Sequence, residues 1–181
     1  GAPIFFDNHQ CLQCGAQVGF DPESMSMVPV EQRTDLTYCG NHDHGVCNWL
    51  RPAASEDQLC RSCQFNRTIP NLDLPHNTER WAALERAKKR LFYSLYQLGL
   101  PVADGWQADT QGLLFDFLDD ARTQPETYPD TYITSGFAEG VITINVLEAD
   151  DVARTATQAE LRERYRTLLG HFRHESGHYF W

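Results

Sequence analysis

The chain has 181 residues, 41% of them apolar and 12% aromatic, which is enough to bury a core in one or two domains and excludes a disordered polymer. Its 25 acidic side chains against 15 basic ones give a formal net charge of −10, a balance that repels a phosphate backbone and argues against a nucleic-acid partner. No apolar run reaches the roughly 18 residues of a membrane span, and GAPIFFDNHQ has none of the parts of an export signal, so a cytoplasmic setting without a membrane partner is expected.

In chain order, residues 1–68 hold all six cysteines, many turn formers and little helical periodicity, the composition of a small domain fixed by metals or cross-links. Residues 69–181 form the second expected domain. It opens on the connector IPNLDLP, after which Thr78 is the expected N-cap of a helix whose apolar face is Trp81, Leu84, Ala87, Leu91, Leu95 and Leu98. Gly99 and Pro101 stop that helix. Its basic cluster, Arg86, Lys88, Lys89 and Arg90, reads as a solvated face.

GLLFDFL, residues 112–118, predicts a strand, and a polar stretch from Asp119 to Thr131 follows. YITSGFAEGVITINVLEAD then divides into two β-branched runs around Gly136 to Gly140, a hairpin with residues 142, 144 and 146 on one face. The last expected helix begins near Thr157, with Glu160 at capping-box spacing. It carries Leu161, Tyr165, Leu168, Leu169 and Phe172 on its apolar face and runs on into GHFRHESGHYFW. The fold class is α+β: a small Cys-rich domain, then a helix, a short sheet and a second helix.

Cys11-Leu-Gln-Cys14 and Cys60-Arg-Ser-Cys63 are both C-x-x-C pairs, with Cys39 and Cys47 between them. Each such pair lets two thiolates converge on one ion at about 2.3 Å, and two pairs complete a tetrahedral zinc. Disulfides suit a secreted domain, and a redox C-x-x-C suits a βαβ context; the sequence offers neither. Zinc is therefore expected, with two partitions open. Cys11, Cys14, Cys60 and Cys63 form one site and leave Cys39 and Cys47 to pair with His42 or His44, or Cys39, Cys47, Cys60 and Cys63 close a site and Cys11 with Cys14 needs two further ligands.

His174-Glu175-Ser176-Gly177-His178 has the spacing H-E-x-x-H. On a helix the two imidazoles lie on one face and can share a zinc, while Glu175 stands beside them as a general base for hydrolysis of a peptide or protein substrate. His171 falls on the same side, but an unbroken helix sets it about 10 Å along the axis from His178, too far for both to ligate one ion, so it is expected either to support the ligands or to be structural. The competing reading is a pair of surface histidines at a helix end, in a non-enzymatic zinc module that contacts protein or nucleic acid.

The segments FFDNHQCLQCGAQVGFDP, CGNHDHGVCNWL, LCRSCQFNRTIPNL, KKRLFYSLYQLGLP, GLLFDFL, GVITINVLEAD and YRTLLGHFRHESGHYFW together resemble the bacterial zinc-binding metallopeptidases that join an N-terminal zinc ribbon to a zincin-like domain. The resemblance implies zinc ligands at His174 and His178, a general base at Glu175, and a substrate-pairing edge at the strand GVITINV. It also implies a further C-x-x-C before Gly1, giving two ribbon sites: that pair with Cys11 and Cys14, and Cys39 and Cys47 with Cys60 and Cys63. A third catalytic ligand is implied beyond Trp181. On that footing the 181 residues are expected to be a fragment without turnover.

Overall fold

The computed structural model describes residues 3–106, 112–151, 153–155 and 167–181. It divides into two compact units, Gly1–Gln64 and Phe65–Trp181. The division falls four residues before the one expected after residue 68. The reason is that β5 (Asn66–Thr68) pairs with β6 (Leu114–Leu118) of the second unit.

The first unit is built from two small antiparallel pairs, β1 (Val18–Asp21) with β2 (Ser26–Pro29) and β3 (Leu36–Tyr38) with β4 (Leu50–Pro52). Three aromatic rings join them. Phe20 lies 4.8 Å from both Phe6 and Trp49, centroid to centroid, and Phe20 and Trp49 are almost wholly buried. Asn48 ties the N-terminal segment to this core, its Nδ2 donating to the carbonyls of Phe6 and Asn8 at 2.7 and 3.1 Å.

In the second unit the sheet runs β5–β6–β8–β7, with β7 at Gly136–Ala138 and β8 at Val141–Asn145. β5, β6 and β8 are mutually parallel and β7 is antiparallel to β8. The connection from β5 to β6 contains α1 (Asn77–Gln97). α2 (Leu168–Phe180) is the last element. Phe115 and Phe117, two apart on β6, share one face of the sheet. Phe92 of α1 reaches Phe115 at 6.0 Å, and Phe172 of α2 reaches Phe115 and Phe117 at 5.8 and 6.1 Å, so both helices cover that face. Burying Phe172 completely contributes about 1.5–3 kcal/mol and fixes which side of α2 faces inward.

The apolar positions of α1 are buried as expected from Trp81 to Leu95, and Leu98 is exposed. The helix stops in a Schellman motif: Gly99, at φ +64°, donates to the Tyr96 carbonyl and Leu100 to that of Leu95. Its start differs from expectation. The cap position is His76 in the left-handed region, without a side-chain cap, and Thr78 is already helical. Entry is fixed instead by buried Asn77, whose Nδ2 donates at 2.8 Å to the Asn71 carbonyl and to Asp119. Nor is the basic cluster wholly solvated. Arg86 and Arg90 are exposed, but Lys88 is fully buried, paired with Glu85 at 3.0 Å, bonded to Asn66 and lying over the Phe115 and Phe117 rings.

The expected hairpin is present, with its first strand nearer the turn. β7 begins at Gly136 because the reversal takes two residues, Glu139 and Gly140, both at positive φ (49° and 82°), the geometry that matches strand twist. A Cβ on Gly140 would lie 2.4 Å from the Gly112 carbonyl oxygen, so only glycine fits. Ile142, Ile144 and Val146 are all buried, as their shared face predicts. β8 lies between β6 and β7 and is not an edge. The edge beside it is β7.

α2 begins at Leu168 rather than near residue 157, because Thr167 is extended (φ −92°, ψ 149°) and caps the helix. The expected capping box of Thr157 and Glu160, with Leu161 and Tyr165, lies outside the described residues. Among the described residues no helix is long and apolar enough to cross a membrane.

Candidate metal centres

The cysteines of the first unit separate into two groups. Cys39 directly follows β3, Cys47 lies three residues before β4, and Cys60 and Cys63 come from the segment after β4. Their four sulfurs lie within 4.8 Å of one another and all four residues are buried. Of the two partitions left open by spacing, the geometry assembles the one built on Cys39, Cys47, Cys60 and Cys63. His42, at half-buried exposure, turns its Nδ1 to the Cys47 carbonyl at 2.9 Å and stacks on Tyr38 at 3.7 Å between centroids, and it is not in the cluster. His44 is exposed.

The sulfur set fits a tetrahedral ion. Cys47 and Cys60 Sγ are 3.7 Å apart, and the edge of a tetrahedron with 2.3 Å metal–sulfur arms is about 3.8 Å. The backbone N–H of Cys60 donates to Cys39 Sγ at 3.3 Å, support that a thiolate accepts. Charge points the same way. Hydrogen bonds from Cys47, Cys60 and Cys63 hold the Cys39 thiol far below its ordinary range, whereas the contact with Cys39 pushes Cys47 up, and burial followed by contact with Cys39 pushes Cys60 up. The first thiolate makes the next ones costly. A dication at the centre removes that conflict, which four buried thiols alone do not.

Cys11 and Cys14 stand apart from this cluster, half-buried and exposed respectively. The backbone N–H groups of Cys14 and Gln13 donate to the Cys11 sulfur and hold its thiol below the ordinary value. Gly15 N–H donates to the Cys11 carbonyl at 2.8 Å and closes the turn. This is a knuckle that presents two sulfurs; a four-ligand set around it is not found among the described residues.

In the second unit, α2 carries the histidine pair. Phe172, Glu175 and Ser176 are its buried residues, and His174 and His178 are exposed. The two rings lie 5.1 Å apart between centroids and nearly perpendicular, at 83°. Two imidazoles bound to one tetrahedral zinc at 2.0–2.1 Å put their centroids about 5 Å apart, so the pair fits such an ion. β7 borders this face, with Phe137 lying 6.3 Å from the His178 ring and nearly parallel to it, at 14°.

Glu175, next to His174 in the chain, is only 7% exposed. Its Oε1 accepts from His171 Nε2 at 3.1 Å, and His171 Nδ1 faces Glu148 Oε2 at 3.8 Å. The sequence sets His171 aside as a ligand, and its i,i+4 spacing to Glu175 is the signal from which this contact could be read. Glu148 and Phe137 are not legible there, because their proximity to α2 depends on how β7 and β8 meet the helix. Among the described residues no third metal-ligating side chain joins His174 and His178.

The second unit matches, over residues 77–181, a family described as "Putative zinc-binding metallo-peptidase", and residues 1–74 match a zinc-ribbon domain. Uncharacterised proteins of Mycobacterium tuberculosis and Mycobacterium bovis are 37% identical over 180 residues, which is 99% of this chain and 50% of each of theirs. The chain thus spans about half the length of the curated relatives it matches. No solved structure matches it. With a buried four-cysteine cluster in its ribbon and a histidine pair on α2, the chain belongs to this zinc-binding metallo-peptidase family.

Proposed function

We propose that the full-length protein hydrolyses peptide bonds in a zinc-dependent reaction at the α2 face, and that its ribbon holds zinc at Cys39, Cys47, Cys60 and Cys63. The observation that carries this reading is the placement of His174 and His178 on one exposed face, with ring spacing that suits a shared ion, and the buried Glu175 between them in the chain. Zinc held there would supply Lewis-acid chemistry, lowering the pKa of water and polarising a peptide carbonyl. His174 and His178 supply two ligand nitrogens. Glu175 takes the proton of the attacking water on its carboxylate and returns it to the leaving amine. β7, the edge strand beside His178, offers backbone groups to an extended substrate, and Phe137 forms an apolar surface next to it.

Two histidines alone hold zinc weakly. We place the third ligand outside the described residues, in the further length that the relatives possess. We also infer that Cys11 and Cys14 contribute to a second ribbon zinc whose other ligands lie outside the described residues. The competing reading, a non-catalytic zinc module, draws on the absence of a third ligand near the pair among the described residues. The test is Glu175→Gln in the full-length, zinc-loaded protein, assayed on casein and on a mixed peptide library. Hydrolysis is expected to fall by about 10²-fold or more with zinc content and melting temperature unchanged. Full activity in that variant would falsify the mechanism, and a helix site closed by four protein ligands would favour the module.

A further inference from the structure

A glutamate that acts as a base from a helix has three side-chain torsions to restrain, and a misplacement of about 1 Å can cost 10²-fold in rate. Glu175 is restrained by a specific partner. Among the described residues the hydrogen bond on its carboxylate comes from His171, one helical turn earlier, from Nε2 to Oε1 at 3.1 Å. A carboxylate only accepts, so Nε2 is the donor, and the second oxygen, Oε2, remains for a proton in transfer. The imidazole is itself confined. Its side chain is 12% exposed, and its Nδ1 is buried, has no hydrogen-bond partner among the described residues and faces Glu148 Oε2 at 3.8 Å. Glu148 lies in the helical turn at Val146–Ala149 that directly follows β8, so the far side of the ring faces the exit of that strand.

We propose that His171 is a positioning residue for Glu175: it fixes one carboxylate oxygen so that the other faces the His174 and His178 side, and it is backed by Glu148 at the exit of β8. The proposal rests on the reading of Glu175 as the base. It assigns His171 a role that ligation does not require, since the ring is turned to two carboxylates. It also predicts that loss of His171 affects the chemical step and leaves substrate binding alone.

The test compares wild type, His171→Leu, His171→Gln and Glu175→Gln in the full-length protein at matched zinc content. Each is assayed with a peptide selected from a mixed quenched-fluorescence library, and each is crystallised. Leucine fills the space of the ring without a donor, whereas glutamine returns an N–H at similar reach. His171→Leu is expected to lower kcat by about 10- to 100-fold with KM within about twofold, and His171→Gln to stay within about threefold of wild type. In the crystals the Glu175 carboxylate is expected to leave its position in the leucine variant and to keep it in the glutamine variant. An unchanged kcat in His171→Leu beside an inactive Glu175→Gln, or an unmoved carboxylate, overturns the proposal. If wild type cleaves nothing, or Glu175→Gln matches it, the reading of Glu175 as the base is what fails, and the carboxylate positions still decide whether His171 orients it. Should His171→Leu not fold, His171→Ala is read by the same two measurements.

Discussion

Asp120 shows how much a single side chain organises in the second unit. Fully buried, it accepts from Arg122, from the backbone N–H of Ile133 at 3.0 Å and from Asn145 Nδ2 at 2.6 Å, and so pins the loop after β6 to the end of β8. Burial alone would push its carboxyl up. The hydrogen bonds from Arg122, Ile133 and Asn145 outweigh that and bring its pKa to about 2. The sign follows directly. A carboxyl whose folded pKa lies below its unfolded value of about 3.9 adds stability above that value and loses it as pH falls towards 2. Wild type is expected to exceed Asp120→Asn by roughly 2 kcal/mol in urea unfolding at pH 5–7, with the gap closing between about pH 4 and pH 2. A gap independent of pH would assign the effect to packing instead. Arg122, 46% exposed on its side chain, returns to water in the variant and adds little penalty of its own.

At the scale of elements, the start of α2 decides how the histidine face is presented. Thr167 accepts from the Gly170 N–H at 3.0 Å, the bond that satisfies one orphan donor of the first turn. Thr167→Ala is expected to cost about 1 kcal/mol in thermal unfolding and to raise hydrogen exchange over residues 168–171. An unchanged exchange rate there would show that Phe172 packing alone holds the helix. An extended cap at Thr167 was not legible in the sequence, where the apolar spacing from Leu161 to Phe172 reads as one helix. A cap in extended backbone is a matter of two torsions, which the hydrophobic pattern does not encode. The face of α1 from Trp81 to Leu95 was legible because burial follows the 3.6-residue period, and its stop was legible because Gly99 suits a left-handed residue. Its start was not, since Asn77 is held by Asn71 and Asp119, the second 42 residues away. The same holds for the parallel pairing of β6 with β8 and for the choice of β7 as edge. These are long-range contacts, and periodicity is a local signal.

For the molecule as a whole, the two units hold their structure by different means, and that difference yields the broadest prediction. The cysteine-rich composition of the first 68 residues made a metal-built unit legible, and H-E-x-x-H drew attention to the histidine pair on α2, but which four cysteines meet needed the pairing of β3 with β4. The first unit has a small aromatic core of Phe6, Phe20 and Trp49 around strands of three or four residues. So little apolar packing leaves a domain of this size dependent on the metal, whose binding energy is folding energy. The second unit has a continuous ring core from Phe65 through Phe92 and Phe115 to Phe172, and its histidine pair lies at the surface, outside that core. Stripping zinc with a strong chelator is therefore expected to remove hydrogen-exchange protection from residues 3–64 while β6, β8 and α1 keep theirs. Replacing Cys39 and Cys60 together by serine should reproduce the first effect without chelator and release one zinc per chain. Equal loss of protection in both units would show that the second unit also folds on its metal. Full retention in the first would show that Cys39, Cys47, Cys60 and Cys63 are a packed thiol cluster, not a metal centre.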